Sequence, residues 1–381
     1  MSLSASITSA QRPKTVERSP RPVAIWLFVC CAMIFAMVVI GGITRLTWSG
    51  LSITEWQPVT GIVPPLSAAD WATEFAKYQQ TSQYKLVNAG MSLADFKTIF
   101  LWEYGHRLWG RLIGFVYALP FLYFLVRGRI PRRLGWPLAG IFALGGCQGA
   151  LGWYMVESGL ADRIEVSQYR LTAHLALALV IYAVTLWTAL GLLARAPTLP
   201  RLRGRGIASA GVSGAPPPPQ AGEGRGGGWR RASEAILALV GLTIVAGGFV
   251  AGLNAGLTYN TFPLMDGNFV PAGYAQLSPY IRNWFENVAA VQFDHRILAM
   301  TTVGMVAALW LCGWRFALLR PVRLALHALA LVALLQLSLG ISTLLLVVPI
   351  PLAAAHQAGA VLLLTAAIVL RHRLRASPGG V

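Results

Sequence analysis

Eight stretches of about 20 predominantly apolar residues recur along the chain, at roughly 25–43, 99–126, 137–156, 171–193, 233–252, 291–314, 324–346 and 352–370. A helix of about 20 residues spans the hydrocarbon core of a bilayer. Inside that core each segment must satisfy its own backbone hydrogen bonds, which a helix does and a lone strand cannot. The pattern therefore predicts an all-α fold, a polytopic membrane protein with eight transmembrane helices. Composition points the same way, with 56% of the 381 residues hydrophobic and only 12% charged, about half the charge of a soluble domain.

The formal net charge of +17 raises the question of nucleic acid, and the placement of the charge answers it. Of 31 Lys and Arg, 21 fall in 1–24, 127–136, 194–232, 315–323 and 371–381, and only seven in the alternating loops. That bias is the positive-inside signature: it predicts cytoplasmic termini, a membrane-lipid environment and no nucleic-acid partner. Three basic residues, Arg107, Arg111 and Arg296, lie within spans. Cys30, Cys31, Cys147 and Cys312 also lie in apolar spans, where they read as small core residues rather than a disulfide framework.

Residues 206–228 (GIASAGVSGAPPPPQAGEGRGGG) lack the large apolar residues a packed core needs and read as a tether. The expected organisation is a cytoplasmic arm (1–24, not a transit peptide), a four-helix bundle (25–193), a linker (194–232), a second bundle (233–371) and a cytoplasmic tail (372–381). The halves resemble each other. Gly41-Gly42 matches Gly247-Gly248, EYGHRLWGR from Glu103 matches QFDHRILAM from Gln292, Gln148 to Gly152 matches Gln336 to Gly340, and His174 matches His356. Both halves start on the same side, so two pseudo-symmetric four-helix bundles, repeated in parallel, are expected.

Four of the six histidines, His106, His174, His295 and His356, fall in the first turns of spans two, four, six and eight. All four spans start on the outer side, so the imidazoles share one depth, two per half. A polar group at that depth is costly and usually faces the bundle interior for a purpose. Paired imidazoles across a bundle suit the two axial positions of a haem iron, whereas zinc would want further ligands that no nearby cluster supplies. His327 and His372 read as surface or interfacial groups. Arg107 and Arg296 follow two of the histidines and suit either a haem propionate or a lipid headgroup reached by snorkelling.

The halves differ chemically. Glu103 shares a helical face with His106, while its counterpart Gln292 cannot ionise, which suggests chemistry in the first half and a fixed cofactor in the second. Asp294 reads as a helix cap, and Glu55 in the first outer loop ranks below Glu103. The ligand pattern alone also permits a di-haem b-type electron carrier, against which Glu103, with no acidic counterpart, speaks. A transporter of two pseudo-symmetric halves leaves the histidines unexplained.

Five segments carry a further resemblance: GGITRLTWSGLSITEWQPVTGIVPP (41–65), WEYGHRLWGR (102–111), GLTYNTFPLMDGNFVP (256–271), NVAAVQFDHR (287–296) and AAAHQAGA (353–360). With the eight-span layout, they resemble the haem A synthase family. The resemblance implies oxidation of the C8 methyl of haem O to a formyl group, giving haem A for cytochrome c oxidase, in a bacterial inner membrane with the haem sites toward the periplasm. It implies that His106 and His174 flank the substrate haem, that His295 and His356 ligate a resident haem b, and that Glu103 is the essential acid. Residues 44–98 contain no cysteine, so the chain looks like the proteobacterial and mitochondrial type, without loop thiols. The electron acceptor, homo-oligomer formation and direct hand-over by a haem O synthase stay open.

Overall fold

A computed structural model describes residues 19–57, 61–162, 164–195 and 223–375. Most of the expected arm, linker and tail lies outside the described residues. Eight long helices are long and apolar enough to cross a membrane. They are α1 (Arg21–Leu46), α4 (Leu93–Val126), α5 (Arg132–Asp162), α6 (Gln168–Arg195), α7 (Glu223–Gly252), α9 (Val288–Gly313), α10 (Arg320–Leu345) and α11 (Ile350–Arg375). Three short helices, α2 (Ala68–Gln79), α3 (Ser82–Leu86) and α8 (Asn283–Glu286), belong to the loops. The chain is a multi-pass all-α membrane protein.

The helix ends follow from local chemistry. α4 starts at Leu93, earlier than the apolar run suggests, because Ser92 caps it by accepting from the Asp95 N–H at 3.2 Å. Asn287 caps α9 by accepting from the N–H groups of Ala289 and Ala290 at 2.9 and 3.2 Å. Two residues after α1 and after α7 the backbone turns left-handed, at Trp48 (φ 57°) and Asn254 (φ 52°), corresponding positions of the repeat. Pro120 lies inside α4 and cannot donate to the carbonyl of Val116. The Trp26 indole N–H on α1 fills that place at 2.8 Å, so the proline and its remedy also tie α1 to α4.

Expected boundaries move most at the linker and the tail. α7 includes residues 223–228 of the glycine-rich segment expected to be a tether. Just beyond them, Trp229 is buried edge-on against Phe316, anchoring the turn against the ~1 kcal/mol cost of each helical glycine. α11 runs to Arg375, into the segment expected to be tail, because Arg371 pairs with Glu234 on α7 and the Leu374 carbonyl accepts from Arg230 Nε at 3.3 Å. His372, expected at a surface or interface, is instead buried, with its ring edge-on to Trp187 at 5.2 Å. His327 is exposed as expected and accepts from the Trp310 indole at 2.8 Å.

In the first half α1 packs on α4, α4 on α5, α5 on α6, and α6 back on α1. In the second, α7 packs on α9, α9 on α10, α10 on α11, and α11 back on α7. The histidine-bearing helices α4 and α6 stand at opposite corners of the first ring, and α9 and α11 at opposite corners of the second. Between halves α1 meets α11, α6 meets α7, and α6 meets α11. The main apolar core, including Trp26, Leu27, Leu138, Leu186, Ile236 and Leu329, fills the end nearer the termini. An aromatic cluster of Tyr78, Phe96 and Phe100 seats the loop helices on α4 at the other end.

Candidate functional site

Each of the four histidines is seated on a glycine of a neighbouring helix. A Cβ added at Gly41 on α1 would lie 3.3 Å from His106 Nε2, and one at Gly152 on α5 would lie 2.9 Å from His174 Cε1. In the second half, a Cβ at Gly247 on α7 would lie 3.1 Å from His295 Cε1, and one at Gly340 on α10 would lie 2.8 Å from His356 Cε1. No side chain fits at Gly152 or Gly340 without displacing the imidazole. The repeat comparison contains all four glycines, but sequence reasoning gave them no role.

Hydrogen bonds set the rest of the geometry. His295 Nδ1 lies 3.1 Å from the carbonyl of Thr243; donation there leaves Nε2 with its lone pair for a metal. Gln148 Nε2 donates to the His174 carbonyl at 3.0 Å, and Gln336 Nε2 donates to the His356 carbonyl at 3.0 Å. These matching glutamines are also part of the site and were visible only as repeat members. The four imidazoles are half-buried. Among the described residues no three His, Cys, Asp or Glu side chains gather as one ligand cluster.

This donor set fits a haem. Two imidazoles approach from opposite corners of each ring, as two axial ligands require. Glycine removes the side chain that would push them aside. Buried polar atoms without a protein partner remain at His356 Nδ1, Gln148 Oε1, Gln336 Oε1 and Arg296 Nε.

Glu103 is 2% exposed and accepts five hydrogen bonds. Its Oε2 takes the Ser52 N–H at 2.7 Å, the Ser52 hydroxyl at 2.8 Å and the Ile53 N–H at 2.8 Å. Its Oε1 takes Arg107 Nη2 at 2.6 Å and Nε at 3.0 Å. Gln292 keeps the arginine contact, its Oε1 accepting from Arg296 Nη2 at 3.1 Å, but its Nε2 donates to the carbonyls of Ala255 and Thr258 at 2.8 and 2.6 Å. Both groups clamp an outer loop onto a helix, and only the first brings negative charge.

Arg107 and Arg296 also turn onto the loops rather than out to headgroups. Arg107 donates to the carbonyls of Ile53 and Glu55, both at 2.9 Å. Arg296 donates to those of Tyr259 and Thr261 at 2.6 and 2.8 Å. The acceptors are 206 positions apart in both cases, as are Gly41 and Gly247.

The remaining candidates fall elsewhere. Glu55 pairs with Lys77 at 2.9 Å, and that ammonium's hydrogen bond holds the carboxyl below its usual range. Asp294, expected to cap α9, instead accepts from the Tyr274 hydroxyl at 2.9 Å, because Asn287 already caps the helix. Burial, then the Asp294 carboxylate, pushes the Tyr274 phenol up to about 12.

Comparison with known proteins places this arrangement in a family. The cytochrome oxidase assembly protein family (COX15-CtaA) matches residues 24–368. The heme A synthase of Nitrosospira multiformis is 54% identical over 356 residues, 93% of this chain and 94% of its own length. The chain belongs to the haem A synthase family. The heme A synthase of Nitrosomonas eutropha is 49% identical over 369 residues, covering 97% of this chain and 98% of its own. Heme A synthase COX15 of Arabidopsis thaliana is 44% identical over 360 residues, 93% of this chain and 74% of its own. In this haem A synthase family member the matched span contains all four histidines, Glu103 and both arginines.

Proposed function

We propose that the protein makes haem A, oxidising the C8 methyl of haem O to a formyl group for delivery to cytochrome c oxidase. Two paired-imidazole sites, only the first with a buried carboxylate one helical turn from its histidine, carry the reading. The first half takes haem O between His106 and His174, and the second holds haem b between His295 and His356. Haem b supplies one-electron exchange when bound.

The residues divide the remaining work. Gly41 and Gly152 let His106 and His174 stand where a flat macrocycle meets both, and Gln148 fixes the backbone under His174. Two successive hydroxylations, each taking its oxygen from water, releasing two protons and passing two electrons to an acceptor outside the chain, give a geminal diol that loses water to the aldehyde. Glu103 has its acceptor positions filled by five donors, so the role that suits it is a fixed negative charge that favours a cationic transition state, while clamping the loop over the site. Arg296 Nε, without a protein partner, is the donor left for a propionate in the second half, whereas Arg107 has all three nitrogens engaged.

The charge bias of the loops supports an orientation with both termini cytoplasmic and the haem sites toward the periplasmic side of a bacterial inner membrane. The corresponding orders of neighbours support two bundles related by pseudo-symmetry.

The test is haem extraction with mass identification, on protein purified in detergent from a host that makes haem O. The expected result is haem b together with haem O, a hydroxylated intermediate or haem A. Two equivalents of haem b and nothing else would identify a di-haem electron carrier instead.

A further inference from the structure

The repeat that pairs His106 with His295 also pairs Leu101 with Ala290, Trp102 with Val291, and Gly105 with Asp294. These counterparts have opposite exposure. Ala290 and Val291 are 0% and 2% exposed, while Leu101 and Trp102 are 50% and 38% exposed. In the second half this region is roofed, with Tyr274 bonded to Asp294 and packed edge-on against Phe293, which also meets Phe269. In the first half, among the described residues, a Cβ at Gly105 would meet nothing within 4 Å.

A groove of about 460 Å³ results, walled by Ile40 of α1 and by Leu101, Trp102, Gly105, Leu108 and Trp109 of α4. Small ligands occupy sites of about 300–1,000 Å³. Trp102 and Trp109 lie four residues before and three after His106, so the histidine shares their helical face. Ile40 adjoins Gly41, the seat of His106. The Trp109 indole donates to the Met33 carbonyl at 3.0 Å, which fixes this wall. The groove thus lies along the outer faces of α1 and α4, flanked by the chain neighbours of His106 and of its seat Gly41, and its walls are apolar.

We propose that this groove holds the isoprenoid tail of the substrate haem, and that the roof over the second half is what denies that site a tailed haem. The inference rests on the reading of the first half as the haem O site. Haem O differs from haem b by the long apolar chain that replaces one vinyl group. That chain gains by leaving water for an apolar surface, and an apolar groove beside the histidine's helix turn accepts it without burying polar groups. A site closed as the second is fits a haem with short substituents.

The experiment titrates the purified full-length protein, carrying its second-half haem b, with haem O and separately with added haem b, and follows first-half binding by the Soret band. Wild type is expected to prefer haem O. Gly105→Phe fills the groove, and Leu101→Trp fills it independently from a half-exposed position. Excluding two methylenes from an apolar site costs about tenfold or more in affinity, so each variant should reduce the preference for haem O at least that much while its affinity for added haem b holds. Leu119→Trp, on the exposed face farther along α4, should behave as wild type. Wild-type preference in both filled variants, or equal losses for haem O and haem b, would overturn the groove assignment. If wild type takes up no haem O, the first-half reading itself fails and this inference falls with it.

Discussion

Arg107 meets the Glu103 carboxylate through two hydrogen bonds, 2.6 Å from Nη2 and 3.0 Å from Nε, one helical turn apart on α4. The same carboxylate holds Ser52 and Ile53, about 50 residues earlier in the chain. Removing one member of a buried pair strands the other and costs about 3–5 kcal/mol. Glu103→Gln places an amide N–H group among existing donors. It is expected to lower haem A formation at least about tenfold while second-half haem b is retained, with residues 44–98 cleaved faster in limited proteolysis. Normal haem A formation with both haems bound would sink the role given to Glu103.

Gly340→Ala puts a methyl group 2.8 Å from His356 Cε1. Overpacking of this kind costs about 1–3 kcal/mol, and here it is spent moving a ligand. The pyridine haemochrome spectrum should show loss of haem b. Gly152→Ala, at 2.9 Å from His174, should leave haem b in place and depress haem A formation instead. Identical haem contents in the two variants would contradict the division of labour between the halves.

His295→Ala and His106→Ala should separate in the same way. The first is expected to lose the resident haem b, and the second to keep it while yielding no haem A. Optical spectra and extracted-haem analysis of the two proteins make the comparison.

Trp26→Phe leaves the Val116 carbonyl without the donor that Pro120 cannot supply. An unsatisfied buried acceptor costs about 1–3 kcal/mol, which should appear as a lower Tm in detergent. Adding Pro120→Ala restores a backbone N–H beneath Val116, so the double variant should recover part of the loss. Strict additivity of the two changes would show that the indole and the proline are unrelated.

The eight spans were legible because the period and length of an apolar run are local properties. Their ends were less so, since Ser92 starts α4 outside the apolar run and α11 is held together as far as Arg375 by partners on α7. The histidines stood out because polar groups are rare at that depth. Their glycine seats did not, because a glycine in an apolar helix looks the same whether it faces lipid or an imidazole. Glu103 was visible as an acid beside His106, but its grip on Ser52 and Ile53 depends on a tertiary contact that helical spacing does not encode. Asp294 was misplaced as a cap because Tyr274, its partner, lies 20 residues away in the preceding loop.

Arg45 reaches across the junction of the halves, donating to the carbonyl of Ala251 and to Asn254 Oδ1, while Asn254 donates to Glu165. Arg45 and Ala251 are themselves counterparts, 206 positions apart. In a dimer of two identical four-helix subunits, both places would carry the same residue, and two guanidiniums or two alanines would face each other across the axis. Fusion into a single chain lets one copy become the donor and the other the acceptor. The covalent link thus permits a lopsided seam, with a donor side chain on one side and its acceptor on the other, that a pair of identical subunits could not carry.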